Sequence, residues 1–268
     1  MSVPASGPCL GTVGGGSLEH SVINAAMKML KDGHGVPVLR TFLHREDAEP
    51  GAASGMICSG EQDILLIPSP PLNRPSEAAR GIRVTPAGLC FTDTPPEEEG
   101  LRKYDEGFEY TETLKPPPVV YIFGGGHCSR ALTPVLNSLG MRVVVVDDRE
   151  NVRTMEENGD AWKKIRMDYT QAGPLVPDDG ESLVVIMTAS HRGDAVVLEQ
   201  MLPKNLKYLG MMASRTTAEH VMGQMRRKGF SRESLSAVRS PVGIPISSHT
   251  PAEIAVSIAA EIIKVMNG

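Results

Sequence analysis

Apolar and polar positions divide the chain near its middle into two differently patterned halves. In the first, "GTVGGGSLEHSVINAAMKMLKDG" sets Val22, Ala25, Ala26 and Met29 at the i, i+3, i+4, i+7 spacing of one helical face, and Gly33 supplies the stop. "VPVLRTFL" and "EQDILLIP" then read as strands, with "GIRVTPAGLCFTD" as a further one. In the second half the runs Val119 to Phe123, Arg142 to Val146, Leu183 to Thr188 and Lys207 to Met212 alternate with helical segments. Their continuous apolar character predicts parallel strands covered on both faces. Right-handed crossovers then require a doubly wound sheet. The last helix is announced by "HTPAEIAVSIAAEIIKVM": Thr250 as N-cap, Pro251 at the first helical position and Glu253 two residues later form a capping box. Ile254, Ile258, Glu261 and Ile262 follow at helical spacing.

Between the halves lies "TPPEEEGLRKYDEGFEYTETLKPPP", whose acidic and proline content reads as a connector. The expected organisation is a smaller α+β domain over 1–94, a linker over 95–118 and a Rossmann-like α/β domain over 119–268. A chain of 268 residues is long enough for two cores.

Composition narrows the function classes. A formal net charge of -5 argues against a nucleic-acid partner, which needs a basic face. Arg226, Arg227 and Lys228 read as the solvated last turn of a helix, where cations complement the dipole. No apolar run approaches the roughly 20 residues of a membrane span, and the first thirty residues lack a secretory pattern, so a cytoplasmic protein is expected. Cys9, Cys58, Cys90 and Cys128 show no zinc-ligand spacing and read as free thiols.

The chemistry concentrates in two glycine-rich turns. In "VVYIFGGGHCSRALTPVLNSLGMRVVVVDD", Gly124 permits a tight turn out of a strand and Gly126 lets a diphosphate approach the backbone. The helix starting near His127 offers unpaired N–H groups and a positive dipole end to that anion. Ser129 stands where a third glycine is usual, and Asp147 ends the next strand, where an acid can bind a ribose hydroxyl pair. Cys128, at a helix N-terminus, is expected to have a lowered pKa. The other turn, "GGGSLE", runs from Gly14 to Glu19. Ser17 is its expected N-cap, and Glu19, one residue short of a capping box, is left for other work. "MTASHRGD" places His191 and Asp194 after a strand, at the crevice where such sheets bind ligands. These features suit a nucleotide-like ligand. The alternatives are an NAD(P)-dependent oxidoreductase with His191 as proton donor, against which stands the lack of a clear second catalytic partner, and a scaffold whose turns are relics.

"GTVGGGSLE", "GMICSGEQDILLIP", "KYLGMMASR" and "SPVGIPISSHTPAEIAVSIAAEI", together with the turn around Gly124, resemble the XdhC/CoxI family of xanthine dehydrogenase accessory proteins over nearly the whole chain. The resemblance implies a maturation factor more than a catalyst. It would bind molybdenum cofactor, as molybdopterin or its cytidine dinucleotide, assist its sulfuration with a cysteine desulfurase, and deliver it to a client molybdenum hydroxylase such as xanthine dehydrogenase or aldehyde oxidoreductase. It places cofactor contacts at Gly14, Gly15, Gly16 and Glu19, and at Gly124, Gly125, Gly126, His127, Ser129, Asp147 and His191. Cys58 and Cys128 become the sulfur-handling candidates, and Cys58 also the candidate contact to molybdenum. Cys58-Ser59-Gly60 keeps the cysteine of the family's cysteine-glycine-glycine motif and departs at its middle position. The chain reaches Gly14 sooner than relatives do, which predicts an abridged first domain or one completed by a partner chain, for example in a homodimer.

Overall fold

The computed structural model of the chain describes residues 1–43, 61–68 and 80–268. Two compact units divide at Lys115 and Pro116.

The N-terminal unit opens with α1 (Gly16–Lys31), whose buried Leu18, Val22, Ala25 and Met29 are the apolar stripe read from the sequence. They pack with Phe42 and Leu66 from an antiparallel pair, β1 (Val38–Leu43) and β2 (Glu61–Leu66). The segment expected as one strand over "GIRVTPAGLCFTD" is a hairpin, β3 (Gly81–Thr85) and β4 (Gly88–Thr92). Pro86 lies in its turn, and Gly88 takes a φ of 151° that a side chain would resist.

The connector is also corrected. It contains β5 (Gly100–Tyr104) and β6 (Gly107–Thr113), and β6 pairs with β3 to complete a four-stranded antiparallel sheet in the order β4-β3-β6-β5. Their exposed faces carry the charges that made the segment look unstructured. The triple proline, Pro116 to Pro118, does lie outside any element.

The C-terminal unit is a Rossmann-like α/β fold. Its elements in chain order are β7 (Val119–Phe123), α2 (His127–Ser138), β8 (Arg142–Asp147), α3 (Arg153–Glu156), β9 (Lys163–Arg166), β10 (Leu183–Ile186), α4 (His191–Met201), β11 (Tyr208–Met211), α5 (Arg215–Arg227), α6 (Arg232–Ser236) and α7 (Pro251–Asn267). The five strands are all parallel, in the order β11-β10-β7-β8-β9. Strand order therefore reverses between β7 and β10, the position at which doubly wound sheets open a crevice at the carboxyl ends of their strands. One face packs Phe123, Val144, Val146, Val184 and Ile186 beneath α4 and α5; the other packs Val120, Ile122, Val143 and Val145 beneath α2 and α7. Burial on both faces explains the unbroken apolar runs. Arg226 and Arg227 occupy the last turn of α5, and Lys228 is its C-cap.

The capping box of α7 is present in both directions. The Glu253 N–H donates to the Thr250 hydroxyl at 3.3 Å, while the Glu253 carboxylate accepts from the Thr250 and His249 N–H groups at 2.9 and 2.7 Å. Thr250→Ala is expected to cost about 1 kcal/mol, the usual loss for an N-cap, and to lower the melting temperature by roughly 2–4 °C in calorimetry. Glu261, the polar member of the α7 stripe, is 8% exposed and accepts from the Tyr208 hydroxyl at 2.7 Å and the Gly243 N–H at 2.9 Å. Ser257 donates to the Ile244 carbonyl at 2.6 Å, so two side chains of α7 fasten the segment that leads into its own N-terminus.

Candidate functional site: the glycine turn at the end of β7

Each of the three glycines following Phe123 meets a different constraint. Gly124 has φ 118°, and a Cβ there would lie 2.1 Å from the Met187 carbonyl oxygen. Glycine is required because β7 and β10 run side by side here, with the Met187 N–H donating to the Phe123 carbonyl at 2.8 Å. At Gly125 a Cβ would lie 2.7 Å from the Met155 Cβ, so glycine lets α3 close over the turn.

Gly126 differs from both. Its φ of -76° suits any residue, and a Cβ would meet nothing within 4 Å. The protein's own packing does not demand glycine at this position. As N-cap of α2, Gly126 contributes no side-chain hydrogen bond, which leaves the first-turn N–H groups open to an anion.

Asp147 holds the turn together. It is fully buried, and four donors fill its two oxygens: the Gly125 N–H at 2.7 Å and Arg149 Nη2 at 2.8 Å on Oδ2, with the Arg149 N–H at 3.0 Å and Nε at 2.9 Å on Oδ1. Burial pushes its carboxyl up, but the bonds from Arg149 and Gly125 outweigh burial and hold it below the usual carboxylate range. Asp147, expected from the sequence to bind a ribose, here has its acceptor sites used to position the turn.

The remaining residues of this turn separate by exposure. His127 is exposed at the first position of α2. Ser129 is fully buried, and its hydroxyl has no hydrogen-bond partner among the described residues. Cys128 is half-buried against the apolar layer beneath α2 and α7, and burial pushes its thiol up. The lowered pKa expected from its helix position is not found, because desolvation of the thiolate dominates.

Across the strand-order reversal, His191 is exposed at the start of α4, its ring edge-on to His220 at 5.8 Å. Asp194 is buried and accepts from the Thr188 N–H at 3.0 Å and the Thr188 hydroxyl at 2.7 Å, bracing the turn out of β10. Burial raises its pKa.

The N-terminal unit carries the other glycine turn. Gly14, Gly15 and Gly16 have φ of 117°, 73° and 65°, three successive left-handed conformations that only glycine adopts freely. The N-cap of α1 is Gly15, not Ser17 as expected. Glu19 is engaged: its carboxylate accepts from the Thr12 hydroxyl and from the Val13 N–H at 3.3 Å, and these bonds hold it below the usual carboxylate range. Cys58 lies outside the described residues.

At the ends of β8 and β9, sequence reasoning missed Arg149 and Tyr169 and marked Asp148 only as the second of the two closing aspartates. Arg149 is the partner of Asp147. Asp148 is exposed and lines a cavity of about 590 Å³ with Arg166, Met167 and Asp168. Tyr169 is 3% exposed and packs edge-on against Phe123, with ring centroids 6.1 Å apart. Only the second aspartate of "VVDDR" gave a signal; nothing local marks Tyr169. Among the described residues no group of histidine, cysteine, aspartate or glutamate is arranged to hold a metal ion, and no helix is long and apolar enough to cross a membrane.

Comparison with known proteins places this geometry. Residues 120–262 match the family model described as the XdhC Rossmann domain, and residues 1–42 match that of the XdhC and CoxI family. The chain is 25% identical to the Escherichia coli K12 protein YqeB over 272 aligned residues, all of this chain and 40% of that protein. It is also 25% identical to a probable xanthine dehydrogenase subunit of Bacillus subtilis 168 over 155 residues, 58% of this chain and 45% of that one. The chain thus spans less than half the length of these curated relatives. A crystal structure of a xanthine dehydrogenase from Bacillus halodurans superposes with a TM-score of 0.73 at 23% identity, covering 96% of this chain and 82% of that one, a likeness of fold. From the glycine turn to the closing helix, the chain belongs to the XdhC/CoxI family.

Proposed function

We propose that this protein is an accessory factor for a molybdenum hydroxylase of the xanthine dehydrogenase or aldehyde oxidoreductase type, binding the molybdenum cofactor and passing it to the client enzyme. Gly126 carries the reading. Packing does not require a glycine there, and the space it leaves lies at the uncapped N-terminus of α2, which suits the phosphate of a molybdopterin tail. Ser129 and the backbone N–H groups of His127 and Cys128 are the neighbouring donors.

The cofactor, as cargo, brings the oxygen- and sulfur-liganded metal; the chain's part is to grip its tail and orient it. A cysteine desulfurase would supply the sulfur. Of the two thiols considered for handling it, Cys128 is disfavoured by the burial that keeps it protonated, and Cys58 is retained on its motif alone. An NAD(P)-dependent oxidoreductase would use the same turn, and ligand identity separates the two readings.

Gly126→Asp places a carboxylate where the phosphate is held without disturbing a neighbour. It is expected to leave the melting temperature within about 2 °C, as for an unstrained surface change, and to abolish copurification of a pterin from a molybdate-fed host, read by mass spectrometry. Wild-type protein that carries no pterin and leaves the client's sulfurated cofactor content unchanged on gene deletion would refute the accessory role. Millimolar-range or tighter binding of NADH, seen by nicotinamide fluorescence, would favour the oxidoreductase instead.

A further inference from the structure

The amino end of β11 opens on a cavity that the glycine turn does not use. The loop from α4 into β11 and the short α6 enclose about 490 Å³ there, a volume within the range of small-molecule sites. The strands are parallel, so this cavity lies at the opposite end of the sheet from the turn that follows β7. Its place on the edge strand has a structural reason. The segment from Arg239 to Val242 lies along the outer edge of β11 only from Leu209 onward, where the Arg239 N–H donates to the Leu209 carbonyl and the Met211 N–H to the Arg239 carbonyl, both at 2.9 Å. The stretch before Leu209 lacks that cover, and there the cavity opens.

Its floor is apolar and its rim cationic. Met201 and Tyr208 are buried, and Leu206 and Leu209 are half-buried. The polar walls are already satisfied: the Tyr208 hydroxyl donates to Glu261 at 2.7 Å, the Ser231 hydroxyl accepts from the Ser234 N–H at 3.1 Å, and the Ser234 hydroxyl donates to the Ser231 carbonyl at 3.0 Å. The cations are not. The ammonium groups of Lys204 and Lys207 make no hydrogen bond or ion pair among the described residues. Arg239 has one ion pair among them, at 3.8 Å to Glu261 Oε1, which leaves most of its five N–H donors unused. Glu233 is the single acid lining the cavity against these three cations. Like charges grouped without a counter-ion repel, and an apolar hollow left open to water forgoes its burial energy. An anion with an apolar body relieves both.

We propose that this cavity binds a small amphiphilic anion, its carboxylate or phosphate head on Lys204, Lys207 and Arg239 and its apolar body against Met201, Leu206 and Leu209. The guanidinium of Arg239 offers such a head a fork of donors, and the two lysines supply point charges beside it. Glu261 is a positioning residue: Tyr208 and Gly243 fix its Oε2, and its Oε1 steadies Arg239 from behind. The site is independent of the glycine turn and can be occupied whether or not that turn holds cargo.

Isothermal titration of the full chain with octanoate, octyl phosphate, acetate, inorganic phosphate and 1-octanol tests the assignment. At least one of the two amphiphiles should bind about tenfold or more tightly than its bare head and than the uncharged alcohol, because charge and apolar burial both contribute. Whichever amphiphile leads identifies the head that the rim prefers. Lys204→Glu combined with Lys207→Glu breaks no internal bond, and should weaken binding at least about tenfold with the melting temperature within about 2 °C of wild type. Ala237→Trp, a bulky side chain at an exposed wall position, should do the same by filling the hollow. Gly126→Asp, which blocks the phosphate turn, should leave amphiphile affinity unchanged. The site is overturned if neither amphiphile binds, if 1-octanol binds as well as they do, or if their affinity survives both cavity variants. Loss of amphiphile binding in Gly126→Asp would also overturn it, by moving the anion to the glycine turn.

Discussion

Asp147→Ala is expected to destabilise the C-terminal unit by about 3 kcal/mol and to abolish ligand binding together with it, because one carboxylate serves both. Its removal strands the buried Gly125 N–H and releases Arg149. An unsatisfied buried donor costs roughly 1–3 kcal/mol, and the lost charge-assisted bonds add to that. Arg149 is 46% exposed in its side chain and regains water, which limits the total. Asp147→Asn is the informative companion. The amide oxygen can accept from Gly125 or from Arg149, but the NH₂ group then faces a donor, so about half the loss is expected.

The pH dependence of this contribution has a definite sign. Because the folded carboxyl titrates below its unfolded value, its stabilisation is fully present above the unfolded pKa of about 4 and is lost as pH falls through the lower folded value. Urea titrations at pH 7 and pH 3 check this. The gap between wild type and Asp147→Ala should narrow at pH 3, and a gap unchanged by pH would show that Asp147 is not held as a depressed carboxylate.

Gly124→Ala and Gly126→Ala, identical in chemistry and two residues apart, are expected to behave in opposite ways. At Gly124 the methyl group would meet the Met187 carbonyl oxygen at 2.1 Å on a backbone with φ 118°. Left-handed strain costs about 1–3 kcal/mol and overpacking about as much again, so a loss of roughly 4 kcal/mol is expected, seen as a melting temperature lower by about 10 °C. Separation of β7 from β10 would also undo the strand-order reversal on which the site depends. At Gly126 the methyl group meets nothing within 4 Å, so stability should be unchanged or raised by about 0.5 kcal/mol through the unfolded state. Phosphate affinity should nonetheless fall severalfold. Equal destabilisation by the two substitutions would refute the division of labour between a glycine needed for folding and a glycine needed for the ligand.

Much of the C-terminal unit was legible because its signals are local or periodic. Four of its five strands are continuous apolar runs, and the capping box of α7 needs only three residues at a fixed spacing. The strand missed, β9, reads "KKIR". An edge strand has a neighbour on one side only and can carry charges, so it lacks the apolar run that identifies its neighbours. β5 and β6 were hidden for a related reason. Their polar residues face water on an antiparallel sheet, and only the pairing of β6 with β3, with Val84 opposite Tyr110, makes them strands.

The site was legible as a turn and not as a set of roles. Composition and order indicate a strand, three glycines, a helix and a closing pair of aspartates, because those residue types are what the backbone of such a turn demands. Which aspartate is consumed by the protein and which is exposed is settled by the pairing of Asp147 with Gly125, 22 positions away. The same holds for Cys128, whose helix position suggested a thiolate until packing beneath α2 and α7 buried it. By itself the sequence determined the parallel sheet, the glycine turn and the last helix, since periodicity and backbone freedom are properties of neighbouring residues. Only the tertiary structure decided which glycine is left without a packing role, which carboxylate remains free and where Tyr169 stands, because those depend on partners distant along the chain.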